Sequence, residues 1–297
     1  MWVALGLLSC VFLGIYDILK KLSVKKESVL FILWISTFTT ATVCIPIHIF
    51  TSQYSVPEQW LVSAPNITFH YHIFAKSIIV STSWIFSYLA LQNLPLSIVT
   101  PIRASGPLWT IAGGIIIFGE KISLGQWTGI GIMMTFYFIF SRIGKAEGIH
   151  FHKNKWIFAI FIATIIGTIS SLYDKYLLQR YTAMSVQVYF SYYLFFVFSV
   201  FYILRAIIKK RPIFKGRNFS WTIPMIGISL MTADCFYFFA LSDQESYISI
   251  LSALRRSSVL ISFCIGAYVF NEVNLKKKGM TLLGILLGVS IILYSSV

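Results

Sequence analysis

Acidic side chains are scarce in this chain: ten Asp and Glu stand against 24 Lys and Arg in 297 residues. Charged residues of both signs make up only 11%, less than half of the ~25% that covers a typical soluble domain. With a 57% hydrophobic composition, that deficit excludes a soluble globular protein. Long polar segments are missing too. The only sizeable gaps between apolar runs are 51–72, 143–155 and 207–220, and none resembles a soluble domain. Cysteine is limited to Cys10, Cys44, Cys235 and Cys264, all inside apolar runs, where they read as small buried hydrophobes and not as a disulfide framework. No Walker loop and no GxSxG elbow occurs, which leaves ATP hydrolysis and serine hydrolase chemistry unsupported. His70, His72, His150 and His152 have no Cys or acid set at metal-ligand spacing near them. The chain therefore reads as neither an enzyme nor a cofactor protein.

What remains is apolar sequence in blocks of membrane-crossing length. Helices of about 20 residues divide it into ten spans: 2–20, 29–50, 73–93, 96–118, 124–142, 156–177, 185–206, 221–241, 247–270 and 278–296. The first span lacks a basic n-region and a small-residue cleavage site, so it reads as a retained helix. A net charge of +14 does not point to nucleic acid, because the basic residues fall in short gaps between spans, where cytoplasmic loops collect them. The gaps after spans 1, 5, 7 and 9 hold 17 Lys and Arg; the opposite side holds Lys76, Lys121, Lys175 and Arg180. By the positive-inside rule both termini lie outside the cytoplasm. The expected setting is a cell (inner) membrane, with the bilayer as the main partner and a homodimer as a candidate assembly.

The two halves resemble each other. Tyr16-Asp17 precedes Ser28-Val29 at the spacing with which Tyr173-Asp174 precedes Ser185-Val186. Ala90-Leu91 matches Ala240-Leu241, Arg103 matches Arg255, and Phe118-Gly119-Glu120 matches Phe270-Asn271-Glu272. The chain thus divides into a first five-helix repeat, 1–142, a basic linker loop, 143–155, and a second repeat, 156–297. Five is an odd number, so the second repeat crosses in the opposite sense. Inverted repeats of this kind put substrate sites near the midplane and support alternating access.

Three arginines carry the chemistry. Arg103, Arg255 and Arg256 each lie about eight residues into an apolar run, roughly 12 Å deep at ~1.5 Å per residue. Burying a guanidinium there costs at least ~3 kcal/mol, so such residues face a wet cavity or a partner. Guanidinium forks bind phosphate or carboxylate in bidentate fashion. Arg103 and Arg255, equivalent under the repeat, form a candidate two-sided anion clamp, with Arg256, ~100° around its helix from Arg255, assisting. The bland alternative is that each neutralises a buried acid. Asp234 is the acid in the middle of a late span; its repeat partner is Trp84. It can pair with an arginine, bind an amine or carry a coupling proton. Three mid-membrane cations against one acid favour an anionic or zwitterionic solute. Asp17 and Asp174, near the ends of spans 1 and 6, are candidate gates, the alternative being solvated helix ends with weak ion pairs. Trp84 and Tyr88, one turn apart, are the preferred aromatic pair for stacking on a substrate. Glu120 and Glu272 are read as structural, serving the N-termini of the next helices.

A five-plus-five inverted repeat of this length, with spans 4 and 9 ending in FGEKIS and FNEVNL, resembles the drug/metabolite transporter superfamily, EamA-like branch. Locally, SALRRSSVLISFCIGAYVFNE and the single Arg103 are similar to the basic positions of triose-phosphate and nucleotide-sugar translocators, where such residues hold phosphate. The asparagine-rich first span of that branch reads Tyr16-Asp17 here, a departure that counts against phosphate. Family members are usually assigned cytoplasmic termini, opposite to the charge bias.

The expected function is secondary transport of a small organic metabolite, anionic or zwitterionic, with protons or a counter-exchanged metabolite as the coupling partner. The alternatives are a proton-coupled amino-acid or drug exporter of the same fold and a non-transporting membrane partner or sensor. The charge bias predicts that Val297→Cys reacts with a membrane-impermeant thiol reagent on intact cells, whereas Lys210→Cys reacts only after lysis. The reverse pattern would invert the topology.

Overall fold

The computed structural model describes residues 1–24, 27–94, 102–103, 105–142, 155–209, 220–258, 261 and 275–295. Among them run ten α-helices: α1 (Trp2–Val24), α2 (Val29–Gln53), α3 (Ile67–Asn93), α4 (Gly106–Phe118), α5 (Leu124–Arg142), α6 (Lys155–Leu178), α7 (Ala183–Lys209), α8 (Thr222–Leu241), α9 (Ile248–Arg256) and α10 (Leu275–Tyr294). Each falls within or around one of the ten expected spans. Six of them, α1, α2, α3, α6, α7 and α8, are long and apolar enough to cross a membrane. This is a multi-pass helical membrane protein. The parts of spans 4 and 9 at 96–101 and 262–270, Cys264, Glu272, His150, His152 and most of the linker loop lie outside the described residues.

The helix boundaries follow local chemistry. Helix α3 begins at Ile67, six residues before the expected span, because Asn66 Oδ1 accepts the Phe69 N–H at 2.9 Å and caps the helix. His70 and His72 are consequently helical, not loop residues; their Nδ1 atoms lie 2.9 and 3.2 Å from the hydroxyls of Tyr193 and Tyr181. Helix α4 starts with Gly106-Pro107, where proline costs no hydrogen bond. It ends at Gly119, whose φ of 65° is left-handed. Gly119 N–H returns to Ile115 O at 3.1 Å in the five-to-one bond of a left-handed cap, and Glu120 N–H reaches Gly114 O at 3.3 Å. Helix α5 opens with a reciprocal capping box: Ser123 N–H donates to Gln126 Oε1 at 2.9 Å and Gln126 N–H to Ser123 Oγ at 3.2 Å.

The most extensively packed pairs are α1 with α8, α5 with α10, α3 with α6, and α2 with α7; α2 also meets α8, α3 meets α7, and α4 lies against α9 and α6. Close approach is set by small residues, as lipid-solvated helices require. In α5 and α10, Gly129 and Gly288 face each other so tightly that a Cβ on either would stand 2.8 Å from the other's carbonyl oxygen. A Cβ on Gly227 of α8 would meet Ser36 O of α2 at 2.2 Å. Most of α9 is buried, from Ile248 to Leu251 with Ala253 and Leu254, while Ser252, Arg255 and Arg256 are partly exposed.

Because Gly288 faces backbone that cannot yield, Gly288→Leu should destabilise the detergent-solubilised protein by ~1–3 kcal/mol or more. Gly131→Leu, which points into open space, should leave the melting temperature unchanged. Equal melting of the two variants would remove α5–α10 packing as a stability determinant.

Candidate functional site

A cavity of about 230 Å³ lies among α1, α3, α6, α7, α8 and α9, room for roughly fifteen waters at ~10–15 Å³ each. Asp17, Trp84, Arg103, Asp174, Asp234, Arg255 and Arg256 all line it. Seven of the eight site residues expected from sequence, drawn from both halves, therefore meet in one place. The eighth, Tyr88, does not reach the wall. It is 2% exposed, with its hydroxyl 3.2 Å from that of Tyr16 and Lys20 Nζ 4.6 Å from its ring centroid. Tyr16, not Tyr88, joins Trp84 in the lining. The one-turn spacing placed Trp84 and Tyr88 on a common face, but the helix presents only the first to the cavity.

The two arginine positions sit in matching backbone. Ser105 N–H donates to Ile102 O at 3.1 Å, and Ser257 N–H donates to Leu254 O at 2.9 Å. These i→i−3 bonds occur at the same offset of 152 residues that relates Arg103 to Arg255, so each arginine is the second residue of an equivalent tightened turn. Arg255 Nη2 donates to Asp234 Oδ1 at 2.8 Å, and its guanidinium stands 4.1 Å from the Tyr237 ring centroid, a cation–π contact. Arg256 diverges as the helical angle requires: its Nη2 would be 3.0 Å from a Cβ on Gly106, at the first residue of α4. Arg103 has no ion-pair partner among the described residues. At its repeat-related position the carboxylate that pairs Arg255 is replaced by Trp84.

Three further charges were hidden in the sequence. Lys76, assigned to a loop by charge counting, is 1% exposed in the body of α3. It forms an ion pair with Asp174, with the rings of Phe190 and Phe238 centred 4.4 and 4.3 Å from Nζ. Asp174 is thus no solvated helix end. Lys20 is buried against Tyr16 and Tyr88. Lys175 is buried too; its Nζ donates to Glu120 Oε1 at 2.9 Å and to Ser246 O at 2.6 Å. The wall accordingly carries four cations (Lys76, Arg103, Arg255, Arg256) and three acids (Asp17, Asp174, Asp234) among its described residues. The count of three against one becomes an excess of a single positive charge. Removing these buried lysines from the loop tally enlarges the sidedness of the remaining basic residues.

Glu120 serves a helix N-terminus, but not that of the next helix. Its carboxylate accepts Ile248 N–H at 2.6 Å and Ser249 N–H at 3.1 Å, and also the Ser249 hydroxyl. The reason is local: α5 already has its capping box, while the left-handed Gly119 turns Glu120 inward beneath α9. With an acid at its start and Arg255 and Arg256 in its last turn, α9 has its dipole matched at both ends, worth ~0.3–1 kcal/mol per charge and up to ~2 when partly buried. Trp34 and the tyrosines 189, 192 and 193 lie away from the cavity, in aromatic stacks and histidine contacts. No group of three metal-ligating side chains occurs among the described residues.

Residues 1–142 match the EamA-like transporter family, so the first half of the chain is EamA-like. The fold is shared with a protein of known crystal structure, at a TM-score of 0.74 over 99% of this chain and 98% of the other, with 13% sequence identity. No curated protein matches the chain.

The buried Lys76–Asp174 pair has a clear signature. Lys76→Met strands a carboxylate and should cost ~3–5 kcal/mol, whereas Lys76→Met with Asp174→Leu should recover most of that loss. Additive destabilisation in a double-mutant melting series would show that the two charges are not coupled.

Proposed function

We propose that this chain is a secondary carrier for a small anionic or zwitterionic metabolite, built from two inverted five-helix repeats that alternate access to the cavity between them. The observation that carries this is a charge-lined cavity walled by both halves in the middle of membrane-length helices.

The inverted repeat is supported by the packing. Exchanging each helix for the one five places on turns α1·α8 into α6·α3 and α2·α8 into α7·α3, and it turns α4·α6 into α9·α1; α2·α7, α4·α9 and α5·α10 map onto themselves. All of these pairs are in contact. The cavity wall follows the same rule. Leu13 and Ser170, Asp17 and Asp174, Val80 and Leu230, Trp84 and Asp234, and Arg103 and Arg255 are matched positions, and every one of them lines it. A two-fold arrangement of this kind lets one half take the place of the other as the cavity changes sides.

Charge placement supports the substrate class. Lys76 with Asp174 and Arg255 with Asp234 are neutral pairs, and Arg103, Arg256 and Asp17 line the same cavity. Two guanidinium groups and one carboxylate suit a carboxylate or phosphate group with an adjoining amine or hydroxyl. Trp84 and Tyr237 supply an apolar face beside them. In the cycle, Arg103 and Arg256 receive the anionic group and Asp17 and Asp174 act as gates at the two repeat-related positions. Asp234 holds Arg255 until a substrate competes for it.

A proton-coupled exporter of the same fold is the second reading, favoured by the carboxylate of Asp234 inside the cavity wall. Arg103→Gln separates the two, since Arg103 has no acid to strand. In proteoliposomes it should weaken uptake of an anionic substrate by about 10- to 100-fold, the value of charge-assisted hydrogen bonds worth ~1.5–3 kcal/mol. Unchanged uptake in Arg103→Gln, with loss of pH dependence in Asp234→Asn, would replace the anion carrier with the exporter.

A further inference from the structure

A second, much smaller pocket adjoins the cavity and shares Trp84, Phe190, Leu230 and Asp234 with its wall. Its remaining polar lining is Ser36, Thr37 and Thr40 of α2 with Gln187 and Ser191 of α7. At about 20 Å³ it admits one occupant no larger than a water, which needs ~10–15 Å³. The hydroxyl protons here are already used. Ser36 and Thr37 donate to Leu33 O at 3.1 and 2.8 Å, Thr40 to Ser36 O at 2.9 Å, and Ser191 to Gln187 O at 2.8 Å. A hydroxyl has one proton and two lone pairs, so these groups can offer an occupant only lone pairs.

The amide and the acid add to the same imbalance. Gln187 is 2% exposed, and its Oε1 is buried with no hydrogen-bond partner among the described residues. Its Nε2 is 3.5 Å from Ser191 Oγ. Asp234 gives Oδ1 to Arg255 and keeps a second carboxylate oxygen. Leaving the buried Gln187 oxygen unmet costs ~1–3 kcal/mol, and a water brings only two protons to this set of acceptors. A small cation satisfies several oxygens at once. One carboxylate balances a single positive charge only by giving up its arginine, and it cannot balance the two of a divalent ion.

We infer that this pocket is a binding site for a small monovalent cation, of sodium size, held by the α2 hydroxyls, Gln187 Oε1 and Asp234. Because Asp234 also holds Arg255, an occupied site draws the carboxylate away from the guanidinium and frees Arg255 for the anionic solute. That second step rests on the carrier proposed above; binding of the cation does not.

The test is the melting temperature of the purified full chain in sodium, potassium and choline chloride at equal ionic strength, with no metabolite present. The expected result is a saturable rise with sodium alone, half-maximal at about 10-fold higher sodium in Gln187→Leu and in Thr37→Val, as the loss of one ligand of ~1.4 kcal/mol implies. Gln187→Glu, which keeps the shape and adds charge, should move the midpoint to lower sodium and stands in if Gln187→Leu does not fold. Identical melting in the three salts, or a sodium effect unchanged in all three variants, overturns the site. A sodium shift in a protein that moves no metabolite supports the site while removing the carrier; metabolite transport with no sodium response does the reverse.

Discussion

The carboxylate of Glu120 joins the two halves of the molecule. It stands at the end of α4, accepts the first two amides of α9 and takes the ammonium of Lys175 from α6. In a membrane none of those groups has water to fall back on, and each unmet donor or acceptor costs several kcal/mol. Everything at the cavity depends on this closure. Helix α9 carries Arg255 and Arg256 at its far end, so the anchor at Ile248 fixes how far those guanidinium groups project. The short FGEKIS motif can be read as two physical instructions: a glycine that permits the left-handed turn, and an acid that the turn delivers to a helix start in the other half.

The same constraint organises the rest of the charge. Buried Lys76 and Asp174 meet from α3 and α6, Arg255 and Asp234 from α9 and α8, and Lys20 rests on two tyrosine rings. The Lys76–Asp174 pair crosses between the halves, while the other two contacts tie helices together within one half. Desolvation makes each pair a modest contributor to net stability, while breaking one is expensive. Such contacts therefore act as determinants of which helix stands beside which. Small residues at Gly129, Gly227 and Gly288 provide the close approach that the charges alone could not.

Much of the architecture was legible from hydropathy. Each of the ten apolar runs holds one of the ten helices found among the described residues, and the mid-span arginines met at a cavity with Asp17, Asp174, Asp234 and Trp84. What could not be read were groups whose environment is set by distant partners. A lysine near the start of an apolar run looks the same whether it ends a loop or lies inside a helix. Lys76 differed only through Asp174, 98 residues away, and through the Asn66 cap that starts α3 earlier than composition suggests. Tyr88 was misplaced for a related reason, since one helix face can meet both a cavity and a neighbouring helix along its length. Glu120 was assigned a cap, but the choice between α5 and α9 depended on the Ser123–Gln126 box already filling the nearer one.

The exchange of Trp84 for Asp234 at matched positions has an energetic consequence. In an inverted repeat of identical halves, the inward- and outward-open forms are related by a two-fold rotation about an axis in the membrane plane and have equal energy. Here Arg255 is tethered to Asp234, whereas Arg103 has Trp84 at the matched position, which in the proposed inverted repeat would remove that degeneracy. The proposed carrier would then wait predominantly on one side of the membrane when unloaded. The solute's work would be to level the two wells, and a single non-matching pair would set on which face the empty protein is found.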